Sequence, residues 1–274
     1  MNAVKPLTIS IVTPSFNQAD FLEDAIESVL GQRCEALEFV IMDGGSTDGS
    51  VEIIKRHEAG LTSWTSAPDG GHYAAVNAGF ARTSGEIMAW LNGDDKYLPW
   101  TFSVVGEVFA QFPEIEWLTT RWPLRWDRRG RAVRCAARGG FSRERFFRGG
   151  YLPGDGRPVI QQESTFWRRS LWERAGGRID TAFPLGGDFE LWARFFRHAA
   201  LYAVDTPLGG FRMHGAQRSA KQREEYDADA RRALAAHGGR VPDALGRMLA
   251  RRSIAKIVRF NKNTDAWVIE EVEV

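Results

Sequence analysis

Residues Gly85 to Pro99 read GEIMAWLNGDDKYLP. Glu86 to Leu91 is short and mostly apolar, the pattern of a buried strand. It runs directly into Asn92-Gly93-Asp94-Asp95, a tight polar turn with two adjacent carboxylates. Asp and Gly are common turn formers for local reasons. Two like charges at the end of a hydrophobic strand also suit a cation held at the edge of a sheet.

Upstream, the same grammar repeats three times. LTISIVT (7–13) is an apolar, β-rich run that ends in Thr13-Pro14-Ser15-Phe16-Asn17. LEFVIMD (37–43) ends in Asp43-Gly44-Gly45-Ser46-Thr47-Asp48, and LTSWTS (61–66) leads to Pro68-Asp69-Gly70-Gly71-His72. Between them lie helical patterns. DFLEDAIESVLGQ places Phe21, Leu22, Ala25, Ile26, Val29 and Leu30 on one face before Gly31, and HYAAVNAGFARTSG precedes the opening strand. Strand–helix alternation predicts an α/β chain with a mostly parallel, doubly wound sheet. In such sheets ligands collect beyond the carboxyl ends of the strands. All four polar, glycine-rich clusters fall on that edge. Neither GxxxxGK[ST] nor GxGxxG occurs there, so P-loop and dinucleotide readings are weak.

The 274 residues carry 43% hydrophobic and 26% charged side chains, with a net charge of +1. That is an ordinary globular composition with no overall pull toward nucleic acid. Cys34 and Cys135 lack CxxC spacing and read as reduced thiols. The opening MNAVKPLTIS lacks the basic-then-apolar pattern of a signal peptide, and no apolar run is long enough to span a bilayer. A cytoplasmic location is expected. Between Arg121 and Arg148 ten arginines face only Asp127 and Glu144, with Trp122, Trp126, Phe141, Phe146 and Phe147 interleaved. Either this is a solvated insertion, or it is a basic aromatic surface for a lipid-linked acceptor or the anionic inner face of a membrane. The expected organisation is a catalytic domain over 1–220, with a variable acceptor-side insertion at 120–160. A helical extension and tail over 221–274 would follow.

As an ordered set, TPSFNQADFLEDAIESVLGQ, EFVIMDGGSTDGSVEII, PDGGHYAAVNAGFARTSGEIMAWLNGDD, QQESTFWRRSLWERAGG, DFELWARF and FRMHGAQRS resemble the family 2 glycosyltransferases of GT-A fold. The resemblance runs from about residue 7 to residue 219. It implies inverting transfer of a sugar, hexosyl in type, from a nucleotide diphosphate donor to an acceptor hydroxyl, with Mg²⁺ or Mn²⁺. UDP is the first expectation, GDP or dTDP the others, and the acceptor a glycan or lipid-linked glycan in surface polysaccharide synthesis. A divalent cation stabilises the charge that gathers on the departing diphosphate, and hard cations take carboxylate oxygens.

By the same resemblance Asp94 is a metal ligand and His214 a second one, while Arg212 contacts the diphosphate. Asn92 stands where the commonest pattern has Asp; it and Asp95 would meet the sugar or ribose. Asp43 and Gly44 would recognise base and ribose, with Pro14, Phe16 and Asn17 as the other wall and Asp69 beside them. Asp43 could instead cap the helix near Ser46. Asn77 would reach the donor or serve helix packing. Asp188 would be the catalytic base or an N-cap, and Glu190 points elsewhere. Gln162, Ser164 and Trp167 fall on the acceptor side, while His57, His72, His198 and His237 read as structural. Two other readings compete: a catalytically silent nucleotide-sugar-binding module or partner subunit, favoured only by Asn92, and a sugar nucleotidyltransferase, which would need a Lys/Arg-bearing glycine-rich signature after the first strand.

Overall fold

The structure, a computed structural model, describes residues 7–32, 34–154, 158–215, 217–243 and 252–274. Its first half follows the expected alternation: β1 (Ile9–Ser15), α1 (Ala19–Leu30), β2 (Leu37–Asp43), α2 (Ser50–Arg56), β3 (Ser63–Ser66), α3 (His72–Phe80) and β4 (Ile87–Trp90). These four strands pair in parallel in the order β3-β2-β1-β4. Alternation along each strand divides the core into two layers. Ile9, Ile11, Ile87, Ala89 and Leu91 face one side with the buried stripe of α1, while Val12, Met88 and Trp90 face the other with α3.

Beyond β4 come β5 (Lys96–Tyr97), α4 (Thr101–Gln111), β6 (Trp117–Thr120), β7 (Leu124–Trp126), β8 (Ala132–Cys135), α5 (Arg143–Phe147), β9 (Phe166–Arg168) and α6 (Arg169–Arg174). The chain then forms α7 (Gly187–His198), β10 (Leu201–Val204), β11 (Gly209–Arg212), α8 (Arg218–Lys221), α9 (Arg223–Ala236), β12 (Ile254–Asn261) and β13 (Ala266–Glu273). A nine-stranded sheet runs β13-β12-β10-β6-β9-β4-β1-β2-β3. It is mostly parallel, with β9 reversed between β4 and β6 and β13 reversed at the edge. A smaller sheet, β5-β11-β7-β8, stands beside its carboxyl edge.

Two expectations need correction. The region after residue 221 is not simply a helical extension and tail: among the described residues it holds α9 and a β-hairpin whose first strand pairs in parallel with β10. IAKIVRFN places Ile254, Ile257 and Val258 at spacings that suit a helix or a strand, and the open edge of β10 decides it. Residues 244–251 of the expected helical extension, like the opening residues 1–6, lie outside the described ones. The arginine-rich segment is also not an aromatic surface. Trp126, Phe141 and Phe146 are buried, Phe146 stacking on Phe189 at 4.6 Å. Most of its arginines are exposed, while Arg121 is largely buried against Asp205. Trp172 and Trp192 are core, whereas Trp100 is 45% exposed.

Candidate active site

The carboxyl ends of β1 to β4 meet at one rim, and the loops there are laced together. Asp43, buried at the end of β2, accepts the Gly45 and Ser46 amides at 3.1 and 2.9 Å and the Ser66 hydroxyl at 2.6 Å. Asn17, at a positive φ of 53°, donates its amide to Ser46 at 2.8 Å and accepts the Thr47 amide on its side chain at 2.9 Å. These polar groups are spent on shaping the loops, so Asp43 and Asn17 position the rim rather than offer free ligand atoms. Pro14 is buried within β1. What remains open is Phe16, 62% exposed, facing the Asp69 carboxylate across Gly44. A Cβ on Gly44 would lie 3.2 Å from Asp69 and 3.3 Å from the Phe16 ring, so glycine leaves a slot between ring and acid.

The turn after β4 holds a second group. Asp94 Oδ2 lies 3.0 Å from His214 Nε2, both side chains being largely buried, and His214 Nδ1 has no partner. Phe21 backs the imidazole at 4.4 Å between ring centroids. Two cis ligands of an octahedral ion at about 2.1 Å stand roughly 3 Å apart, so this pair fits a divalent cation. Carboxylate plus imidazole suits Mn²⁺, and two protein ligands leave positions for phosphate and water. A separate trio, Glu23 and Glu27 of α1 with His57 just after α2, has metal-like spacing, but Glu23 is already engaged by Arg56.

Asp95 is fully buried, accepting the Arg212 amide at 2.8 Å and the Asn92 side chain at 3.1 Å. Burial, then Asp94 and Glu163, push its carboxyl well above the usual range. It fastens β11 to the turn and does not face a ligand. Arg212 is likewise only 2% exposed, tied to Asp24, to the Asp94 carbonyl and to the Arg128 carbonyl. It is a scaffold residue, not a free diphosphate contact.

Asp188 sits in the first turn of α7, accepting the Phe189 amide at 2.8 Å. Burial pushes its carboxyl up to about 6, above the ordinary 3.8. Glu163, just before β9, is buried with Oε1 unpartnered, and burial pushes it up to about 7, with Asp94 and Asp188 adding to the rise. Glu163 is thus within electrostatic reach of both Asp94 and Asp188. His72 lies in the same field: burial first, then the Arg218 guanidinium, lowers it to about 4, so it is neutral near pH 7. Exposed Arg218 donates to the Pro184 carbonyl at 3.2 Å and adds positive charge beside His72 and Tyr73.

Other expected ligands turn out to be structural. Asn77 spends both side-chain groups on the Ile179 backbone, at 2.9 and 2.8 Å. Gln162 donates to the Trp90 carbonyl and Ser164 to the Gly209 carbonyl, and Trp167 is wholly buried among Trp90, Phe80 and Trp192. Asn92 donates to Asp95 and Gln162, and its Oδ1 is buried without a partner. Glu163 and Arg218 were not singled out by the sequence, and His72 was read as structural. A carboxylate set against the apolar TFW was the available signal for Glu163.

The family model described as "Glycosyl transferase family 2" matches residues 10–122. An uncharacterized glycosyltransferase of Mycobacterium tuberculosis (strain H37Rv) is 31% identical over 189 residues, covering 68% of this chain and 68% of its own length. The chain belongs to glycosyltransferase family 2. A further relative of this glycosyltransferase is Bacillus subtilis TuaG, named "Putative teichuronic acid biosynthesis glycosyltransferase". It is 35% identical over 96 residues, 34% of this chain and 38% of its own. Among solved structures, S. aureus TarS (residues 1–349) in complex with UDP-GlcNAc superposes with a TM-score of 0.64 at 15% identity, over 84% of this chain. The glycosyltransferase spans 66% of that TarS chain, just under two thirds. A mannosyltransferase from Pyrobaculum calidifontis, solved with GDP-Man and Mn²⁺, gives 0.54 at 16% identity over 91% of this chain and 79% of its own. At these identities the likeness establishes the fold: a mixed α/β architecture on a large, mostly parallel sheet.

Proposed function

We propose that this family 2 glycosyltransferase moves a sugar, with inversion, from a nucleotide diphosphate donor to an acceptor hydroxyl in cell-surface glycan synthesis. The observation that carries the reading is the buried Asp94–His214 pair at the strand edge, with the carboxyls of Glu163 and Asp188 within electrostatic reach. The nucleobase enters the slot between Phe16 and Asp69, over Gly44. The diphosphate lies toward Asp94 and His214, with Arg218 as its protein cation. Mg²⁺ or Mn²⁺, held by Asp94 and His214, would withdraw charge from the leaving phosphate.

Asp188 takes the proton of the acceptor hydroxyl as that oxygen bonds to the anomeric carbon. The carbon–oxygen bond to phosphate breaks on the opposite face, and its electron pair leaves with the nucleoside diphosphate. A base poised near the working pH is the efficient kind, and burial puts Asp188 there. UDP is the first candidate nucleotide, supported by TarS, which was solved with UDP-GlcNAc; GDP and dTDP follow. Incubating the protein with UDP-, GDP- and dTDP-sugars, Mn²⁺ and an acceptor panel tests this through nucleotide release. Mn²⁺-dependent binding without turnover on any donor would favour the silent binding module.

No helix among the described residues is long and apolar enough to cross a membrane. The β7–β8 hairpin carries Arg125, Arg128, Arg129, Arg131 and Arg134, all exposed. Such a tip suits an anionic membrane surface, where each arginine contributes about 1 kcal/mol. Co-sedimentation with phosphatidylserine vesicles, reversed by high salt, tests that placement.

A further inference from the structure

Helix α1 supplies none of the expected ligands, yet it is built onto the Asp94–His214 pair. An imidazole that holds a metal usually donates its other ring nitrogen to a carboxylate or a carbonyl, which fixes the ring. His214 lacks such a partner: its Nδ1 is buried and unbonded among the described residues. Phe21 of α1 packs on the ring instead, at 4.4 Å between centroids and 35° between planes. Phe21 is held in its turn, with the guanidinium carbons of Arg128 and Arg212 each 5.2 Å from its ring centroid. Cations over an aromatic face are attracted to it, so the phenyl ring is gripped as well as packed.

The Asp94 half of the pair is fixed through Arg212. Its amide donates to Asp95 Oδ1 at 2.8 Å and its Nε to the Asp94 carbonyl at 2.7 Å, so one residue holds both ends of the Asp94-Asp95 step. Its Nη1 donates to the Arg128 carbonyl at 3.1 Å and its Nη2 to Asp24 Oδ2 at 2.8 Å. Among the described residues, Asp24 is the one carboxylate paired with this buried guanidinium. At the turn between β7 and β8, Gly130 has a φ of +73°, and a Cβ there would lie 3.1 Å from Asp24 Oδ2 and 3.3 Å from Arg212 Nη1. Glycine lets the turn close against the ion pair.

We propose that Phe21 and Asp24 of α1 are positioning residues for the cation site: Phe21 sets the plane of the His214 imidazole, and Asp24, acting through Arg212, sets the Asp94 turn. The inference rests on the reading that Asp94 and His214 hold a divalent cation. Two ligands bind one ion together only while their donor atoms keep the right separation. Side chains that orient ligands typically change metal affinity by about 10- to 100-fold. Asp24 is 46% exposed, so replacing it opens no cavity, whereas Phe21 is buried.

The test titrates UDP, GDP and dTDP by calorimetry, in Mn²⁺ and in EDTA, into wild type, Asp94→Ala, Asp24→Ala, Asp24→Asn and Phe21→Leu. Bound Mn²⁺ is followed by EPR with the tightest of the three nucleotides. Asp24→Ala and Phe21→Leu should each lose about tenfold of nucleotide affinity in Mn²⁺ and none in EDTA, with a matching release of Mn²⁺. Asp24→Asn keeps an oxygen for Arg212 and should lose less. Wild-type affinity in Mn²⁺ for either Asp24→Ala or Phe21→Leu overturns the role of that residue. An equal loss in Mn²⁺ and EDTA overturns it too, marking a side chain that serves the fold alone. If wild type gains nothing from Mn²⁺, the cation reading has failed and the positioning role falls with it. If Asp94→Ala loses the gain while both α1 sites keep it, the positioning role alone has failed.

Discussion

Replacing Asp188 by Asn separates its chemistry from its cost to the fold. Asn keeps the shape of the side chain but cannot take a proton, so turnover should fall by about 10²–10⁴-fold, the usual contribution of a general base. With the carboxyl pushed up to about 6, the ionised share is about nine-tenths at pH 7, half at pH 6 and a tenth at pH 5. Wild-type rate should therefore drop on the acid side along that curve. The stability effect runs the other way. The folded carboxyl holds its proton more tightly than the unfolded one, so native stability is greatest below the ordinary 3.8 and is lost as pH rises toward 6. That separation corresponds to about 3 kcal/mol at pH 7.5 and well under about 1 kcal/mol at pH 4. Asp188→Asn removes the charge that burial penalises, so it should be more stable than wild type by about 3 kcal/mol at the higher pH only. Urea unfolding at both pH values, with nucleotide release across pH 5 to 9, reads both effects. Unchanged turnover, or a stability difference that ignores pH, would refute the reasoning.

Two other substitutions probe the rim. Phe16→Ala should weaken UDP binding about tenfold, the scale of a lost base–aromatic stack, by the same factor in Mn²⁺ and in EDTA; unchanged affinity would take the base out of this slot. Asn77→Ala breaks two bonds to the Ile179 backbone, so it should cost about 2–4 kcal/mol and lower the melting temperature by roughly 5–10 °C. UDP affinity measured well below that transition should stay as in wild type. A loss of affinity without a loss of stability would return Asn77 to the donor site.

The sequence carried the first four strands because their signals are local. Alternation in ISIVT and IMAW sets which side chains enter which core layer, and the polar cluster after each strand has nowhere to go but the rim. β9 and β12 were not legible, since each owes its place to a partner far along the chain, β9 to β4 and β6, β12 to β10. The site divided in the same way. Asp94, His214 and Asp188 are candidates by residue type and position, and the structure brings Asp94 and His214 together. Arg212, Asn77, Gln162 and Ser164 have suitable side chains too, but distant partners consume them: Asp24, Ile179, Trp90 and Gly209 respectively. Glu163 shows the converse. Its importance comes from burial beside two other acids, which no spacing along the chain reveals.

Calorimetric titration of UDP, with GDP and dTDP beside it, into wild type and Asp94→Ala is the most direct test of the proposal that the strand edge holds a cation. Wild type should bind one of the three at least about tenfold more tightly in Mn²⁺ than in EDTA, and Asp94→Ala should lose that gain while keeping the EDTA affinity. Equal wild-type affinity with and without the ion, or a variant weakened equally in both, would contradict it.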